Sequence, residues 1–369
     1  MSFLSALALP MNPLLQVRAL GQQIWLDNLS RTLLNEGHLA RFIAEDGISG
    51  VTTNPAIFHK AIADGRYYED DLARLRQQPL SAESRYERLV IPDVQRACDL
   101  LRPLHEQSKG ESAYVSLEVS PTLAADVEGT VAAGLRLAAA VDRPNLLIKV
   151  PATPAGLDAI ERLIGAGVSV NVTLMFALAH VDAVAAAYVR GLQRLHAAGG
   201  DLSRVMSVAS LFLSRVDTLV DARLTDLGDD ALKLRGQAAV ATARLAYQRY
   251  RARFHSADFA TLRAAGARPQ YMLWASTGTK NPAYSDLLYV EPLIGPETVN
   301  TLPDATLAAL RDHGQVAPTL DQDLDAAHAT YAALARLGID LDALGARLQA
   351  DGLGQFEQAF AHLLELTGD

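Results

Sequence analysis

With 369 residues, half of them apolar, and a formal net charge of −9, the chain can bury a large α/β core, which excludes disorder as the default and argues against binding a phosphate backbone. Nucleic acid is therefore not an expected partner, although a small anionic substrate can still meet a local basic cluster. A single cysteine, Cys98, rules out an intrachain disulfide or a cysteine-based zinc site and suits a reducing, cytoplasmic setting, and nine histidines without ligand spacing leave no legible metal site.

The apolar run FLSALALP, residues 3–10, lacks a basic lead and is too short to span a bilayer, so no membrane is expected as a partner. Met11 is a second candidate start of the native chain. Residues 14–22 have helical spacing and lead into IWLDNLSR, residues 24–31, where a β-prone triplet ends in the carboxylate of Asp27. Residues 31–45 return to helical spacing, and Gly47 closes them as a C-cap residue would. ISGVTTNPAIF, residues 48–58, reads as a second strand ending at Asn54, with Pro55 placed to open a helix. Residues 59–111 are charged and helical, enough for several helices, and AYVSLEVSP, residues 113–121, alternates as a strand carrying Glu118.

An alanine-rich helix over residues 124–141 leads to LLIKVPAT, residues 146–153, a short apolar run bounded by Pro144 and Pro151 that reads as a buried parallel strand. Lys149 lies in its middle, one of only five lysines in the chain. Burying a lysine costs several kcal/mol unless it is paired or loses its proton, and a desolvated amine can attack a carbonyl to form a Schiff base. The alternatives are a lysine snorkelling to water at a strand end or held in a structural ion pair.

After a helix over residues 154–164, VSVNVTLMF, residues 168–176, carries Asn171 and Thr173 two apart and so on one face. A helix over residues 179–197 precedes RVMSVASLFLSRVD, residues 204–217, with Ser210, Phe212 and Arg215 near the strand end. Residues 231–254 read as one long helix, QYMLWASTGTKNP, residues 270–282, as strand seven with a polar loop, and LLYVEPLIGP, residues 287–296, as strand eight. Beyond Pro318 the pattern is amphipathic and helical, expected on the outside of the main body.

Eight short β-like runs separated by helices predict an α/β fold of the (β/α)8 TIM-barrel type. The expectation is a single domain over residues 1–369, with the barrel at about 22–310, an extra N-terminal helix, and a C-terminal helical extension at about 319–369. Active sites of such barrels form at the C-terminal strand ends, where Asp27, Asn54, Glu118, Lys149, Asn171, Thr173, Ser210 and Ser276 fall.

The blocks IWLDNLSR, GVTTNPAIF, VSLEVSP, LLIKVPAT, VNVTLMF and WASTGTKNP, in this order, resemble the transaldolase family in its longer bacterial form, from about Asn12 to the C-terminus. The resemblance implies a cofactor-free enzyme of the pentose phosphate pathway. It would move a dihydroxyacetone unit from a ketose phosphate (sedoheptulose 7-phosphate or fructose 6-phosphate) to an aldose phosphate (glyceraldehyde 3-phosphate or erythrose 4-phosphate). The implied partners are these sugar phosphates, and the chain is expected to act as a monomer or a homodimer. Lys149 matches the Schiff-base lysine and Asp27 the acid/base at the C4 hydroxyl. Glu118 and Thr173 match the pair that positions a water during carbinolamine formation and dehydration. Asn54, Asn171 and Ser210 match residues that hold the sugar, and Arg215 matches a phosphate-binding arginine.

Ser276 and Lys280 extend this set to the loop STGTK, which lacks the arginine that shorter members carry two residues after the serine; Lys280 is the cation on hand to replace it. Phe212 stands where related aldolases that release free dihydroxyacetone tend to have tyrosine, which favours transfer over release. A barrel kept only for binding would be marked by loss of Lys149, Asp27 or Glu118, and none is lost. Local structural roles compete for single residues: a helix N-cap for Asp27, a cap or turn for Asn54, and an ion pair with Lys149 for Glu118.

Overall fold

The computed structural model describes residues 12–368. The apolar run before Met11, and Met11 itself, lie outside the described residues. Eight parallel strands close a barrel in chain order: β1 Gln22–Leu26, β2 Gly50–Val51, β3 Tyr114–Glu118, β4 Leu146–Pro151, β5 Val170–Met175, β6 Ser207–Phe212, β7 Tyr271–Ala275 and β8 Thr298–Leu302. β8 returns to β1 in register from Gln22 opposite Thr298 to Leu26 opposite Leu302, so the sheet has no open edge. β4, β5 and β6 are buried along their whole length; β4 is apolar apart from Lys149, whereas β5 and β6 also bury Asn171, Thr173, Ser207 and Ser210.

Helices cover the outer face of the sheet, and their starts are fixed by side chains that the sequence places there. Thr153 accepts from Gly156 N (3.0 Å) to open Pro154–Gly165, whose buried stripe of Ala159, Ile160, Leu163 and Ile164 faces the barrel and its neighbours. Asp126 opens Val127–Val141 in the same way. The lower barrel interior is polar: Gln22 donates to Leu293 O (2.6 Å) and Thr298 Oγ1 (3.0 Å), and Asn300 donates to Tyr289 O (3.0 Å), while Gln22 Oε1 and Asn300 Oδ1 are buried without a protein partner.

Several expected boundaries shift for identifiable reasons. The segment read as strand eight, residues 287–296, is a series of turns with a short 3-10 helix at Glu291–Leu293; Pro292 and Pro296 have no N–H to give a ladder, and the true strand follows them. The second strand is only Gly50–Val51; Thr52 still donates its N–H to Leu26 O (2.9 Å), while the side chains of Thr52 and Thr53 turn to Asp27 and Ser116 O. Gly37, at φ +72°, splits the helix expected over residues 31–45 into Arg31–Asn35 and His38–Asp46. Gly236, at φ +68°, likewise separates a 3-10 turn, Ala231–Leu234, from the helix Ala238–Phe254.

The C-terminal segment departs furthest from expectation. Leu324–Arg336 packs against the outer helix Ala238–Phe254, with Tyr331 donating to Thr242 Oγ1 (2.9 Å). Leu341–Thr367, by contrast, lies over the C-terminal end of the barrel and touches the substrate-sized cavity there. An amphipathic pattern specifies that a helix has a face to bury but not which surface receives it. Among the described residues no helix is long and apolar enough to cross a membrane.

Candidate active site

At the C-terminal strand ends a cavity of about 160 Å³ is lined by every candidate residue named from the sequence except Glu118. A larger hollow of about 690 Å³ opens at the opposite end of the strands, around Lys109, Arg204 and Arg268, and contains none of the candidate residues. The smaller cavity is therefore the candidate site, because residue chemistry, rather than volume, decides what a pocket can do.

Lys149 is the centre of the arrangement and is only 5 % exposed. Register places it between Glu118 on β3 and Asn171 on β5. Its Nζ donates to Glu118 Oε2 (3.2 Å) and to Thr53 O (3.0 Å). The Thr53 carbonyl is held in place because Thr53 Oγ1 in turn donates to Ser116 O (2.6 Å). Lys149 does not snorkel, and the ion pair with Glu118 is present. Burial pushes the Glu118 carboxyl above its ordinary range, an effect that Lys149 opposes and the charge of Asp27 adds to. Glu118 is thus the charge partner of the amine, at a site where burial favours its protonated form.

Asp27 does not cap the helix that follows it; Ser30 does, accepting from Leu33 N (3.1 Å). Asp27 Oδ1 instead accepts from Thr52 Oγ1 (2.7 Å), which is also within 2.6 Å of Thr301 Oγ1 on β8. Desolvation raises the Asp27 pKa, against the lowering influence of Thr52 and the charges of Lys149 and Lys280. Two raised carboxyls beside one buried amine form the combination expected where protons are exchanged near neutral pH.

Asn54 does cap a helix: its Oδ1 accepts from Ile57 N (3.0 Å), which leaves the amide NH₂ as a donor at the cavity wall. Asn171 is fixed from both sides, donating to Ser116 Oγ (3.0 Å) and accepting from Ser210 Oγ (2.7 Å). Thr173 Oγ1 is buried without a protein partner and belongs to the cavity lining. The Phe212 ring meets Phe176 at a tilt of 53°, with 5.2 Å between ring centroids.

The remaining candidates form a cationic side. Arg215, in the first turn of Ser214–Leu227, lies over the Phe212 ring (5.6 Å to its centroid) and has a buried Nη1 without a protein partner. Burial lowers its pKa, consistent with a guanidinium that has no counter-charge beside it. Ser276 follows β7 at φ +54° and is held there by Ser214, whose N–H donates to Ser276 O (3.1 Å) and whose hydroxyl lies 2.8 Å from the Ser276 hydroxyl. A non-glycine residue in that conformation is a strain commonly found at ligand sites. Lys280, exposed at the rim, completes this side.

Sequence reasoning missed Thr52, Thr301, Phe356 and Asp217. Thr52 lies within the quoted GVTTNP block, and Phe356 comes from the C-terminal helix, with its ring centroid 5.4 Å from Lys149 Nζ. Asp217 lines a hollow that shares Lys280 with the main cavity; it accepts from Ala239 N (2.8 Å) and Tyr289 OH (2.9 Å). Desolvation raises its pKa from the ordinary 3.8 to about 6. The folded state therefore binds the extra proton between these values, and this group's contribution to stability falls as pH rises through that window. Asp217→Asn keeps one acceptor oxygen and turns an N–H toward the second partner, and it is expected to remove a fall of about 2 kcal/mol between pH 4 and pH 7. Urea denaturation of both proteins at the two pH values measures it, and parallel pH dependence would refute the assignment.

The family model described as transaldolase/fructose-6-phosphate aldolase matches residues 24–367. The transaldolase of Thiobacillus denitrificans is 60% identical over 359 residues, covering 97% of this chain and 100% of the relative. The Neisseria gonorrhoeae transaldolase is 51% identical over 354 residues, covering 96% and 99% of the two chains, and the Mycolicibacterium smegmatis transaldolase is 46% identical over 359 residues, covering 96% and 97%. With a closed eight-stranded barrel, a buried lysine at its mouth and relatives matched over nearly their full length, the chain belongs to the transaldolase/fructose-6-phosphate aldolase family.

Proposed function

We propose that this protein is a transaldolase that moves a dihydroxyacetone unit reversibly between sugar phosphates through a Schiff base on Lys149. The donors are fructose 6-phosphate or sedoheptulose 7-phosphate, the acceptors glyceraldehyde 3-phosphate or erythrose 4-phosphate, and the setting is the cytoplasmic, non-oxidative pentose phosphate pathway. The observation that carries the reading is the Lys149 amine, buried against Glu118 in a cavity that also contains Asp27.

In this scheme the Lys149 amine adds to the ketose C2 carbonyl, and Glu118 with Thr173 handles the water and protons as the carbinolamine dehydrates to an iminium. Asp27 takes the proton of the C4 hydroxyl, the C3–C4 bond breaks, and its electrons flow into the iminium to leave an enamine. The aldose departs, and the enamine carbon then attacks the aldehyde of the acceptor. The iminium is the electron sink, so the scheme calls for no metal or organic cofactor. Asn54, Asn171 and Ser210 hold hydroxyls, while Arg215, Ser276 and Lys280 receive the phosphate; a planar guanidinium with an unpartnered nitrogen suits that task. Phe212 offers the enamine no hydroxyl, which favours transfer over release.

Borohydride reduction in the presence of fructose 6-phosphate, followed by peptide mass mapping, tests the reading. The expected result is a three-carbon adduct on Lys149. An adduct on Lys60, Lys109, Lys233 or Lys280, or none on folded protein, would refute it.

A further inference from the structure

The helix Leu341–Thr367 is pressed onto the barrel mouth by residues that permit close approach. At Gly345 a Cβ would lie 2.4 Å from the Cβ of Ala177, and at Gly352 it would lie 3.1 Å from Leu174 Cδ2 and 3.2 Å from Arg215 Nη1. Between them Gln349 donates to Ala152 O (2.9 Å) and Leu174 O (3.0 Å), carbonyls at the ends of β4 and β5. One turn beyond Gly352 stands Phe356, 7 % exposed, lining the cavity with its ring 5.4 Å from Lys149 Nζ. Phe360, the next residue on the stripe, meets Tyr86 edge-on at 5.9 Å, so the helix is anchored on both sides of Phe356.

We infer that Phe356 is a specificity-determining residue that sets the fate of the three-carbon intermediate, transfer to an aldehyde rather than release to water; the inference rests on the Schiff-base reading above. Between departure of the first aldose and arrival of the second, the enamine has two exits. In transfer, its nucleophilic carbon bonds to the acceptor carbonyl carbon and the carbonyl oxygen takes up a proton. In release, the same carbon takes a proton, water adds to C2 of the resulting iminium, and the C–N bond breaks to give dihydroxyacetone and the free amine. Transfer too ends with hydrolysis of an iminium, but only after the new carbon–carbon bond has formed; release spends the water on the three-carbon unit itself. Phe356 puts an apolar ring beside that nitrogen, a wall that offers water no hydrogen bond on that side, and the ring's face attracts the iminium cation. Phe212 and Phe356 thus act as separate aromatic walls from different elements, β6 and the C-terminal helix.

The test uses the full chain with fructose 6-phosphate, with and without erythrose 4-phosphate, and reads the ratio of free dihydroxyacetone to transferred product. Phe356→Ala opens the ring's place to water, and Phe356→Tyr keeps the ring while adding a hydroxyl that can hold water. Both are expected to raise the ratio by at least about tenfold, while borohydride still traps the adduct on Lys149. Loss of turnover with an unchanged ratio in both variants would mean that Phe356 only packs the helix, overturning the inference. If wild-type protein yields no adduct on Lys149, the Schiff-base reading itself fails, a result separate from the ratio. The tyrosine variant, being nearly isosteric, decides between these outcomes even if the alanine variant does not fold.

Discussion

Replacing Lys149 by methionine is expected to lower turnover by about 10⁶-fold, the scale seen when a covalent nucleophile is removed, and to abolish adduct trapping. The accompanying effect on stability depends on pH. In the native protein Lys149 opposes the upward shift that burial imposes on Glu118, whose ordinary pKa is 4.5. Without the lysine that carboxyl rises further, so the folded variant binds a proton that the unfolded chain releases. Its stability is retained at low pH and lost as pH climbs from the ordinary carboxylate value through the folded one. Lys149→Met should therefore unfold close to wild type at pH 5 and be weaker by roughly 3–5 kcal/mol at pH 8, the cost of stranding one member of a buried pair. Coupled transfer assays and urea titrations at both pH values check this; measurable turnover would remove Lys149 from the chemistry, and equal losses at both pH values would deny Glu118 its part.

Asp27→Asn is expected to slow cleavage by about 10²- to 10⁴-fold while leaving adduct formation intact. The amide preserves the shape of the side chain and can still accept from Thr52, so the barrel mouth should be undisturbed. Rapid quench with borohydride then distinguishes the steps by mass: wild type yields a three-carbon adduct on Lys149, whereas the variant accumulates the intact hexose phosphate. Because desolvation raises the Asp27 pKa, the wild-type cleavage rate should climb with pH as this carboxyl ionises, and the variant should lack that limb. A three-carbon adduct formed at the wild-type rate would assign the proton transfer to another group.

The residues legible in the sequence were those whose placement is costly without a purpose. Lys149, Asn171 and Ser210 interrupt apolar runs, and burying such groups unpaired is expensive, so each stood out against its neighbours. β8 does not read as an apolar run because Thr298 and Asn300 turn inward, where they meet Gln22 and the Tyr289 carbonyl, while the more apolar segment before it contains two prolines. Asp217 ended the block read around strand six and carried no mark of its own, since its partners, Ala239 and Tyr289, are distant in the chain. Phe356 carried no mark at all, being an aromatic on an amphipathic stripe. The clue was indirect: Gly345 and Gly352, two helical turns apart on the same face, allow a backbone approach that a merely external helix does not need.

The placement of Leu341–Thr367 also has a consequence for synthesis. Strand pairing can be completed once β8 has left the ribosome, but the cavity lacks one wall until this later helix emerges and docks beneath Ala82, whose carbonyl accepts from Thr367 Oγ1 (3.1 Å). Until it docks, the Phe356 ring is missing from the wall beside Lys149. Docking of this last helix, more than closure of the sheet, is the step that completes the surroundings of Lys149.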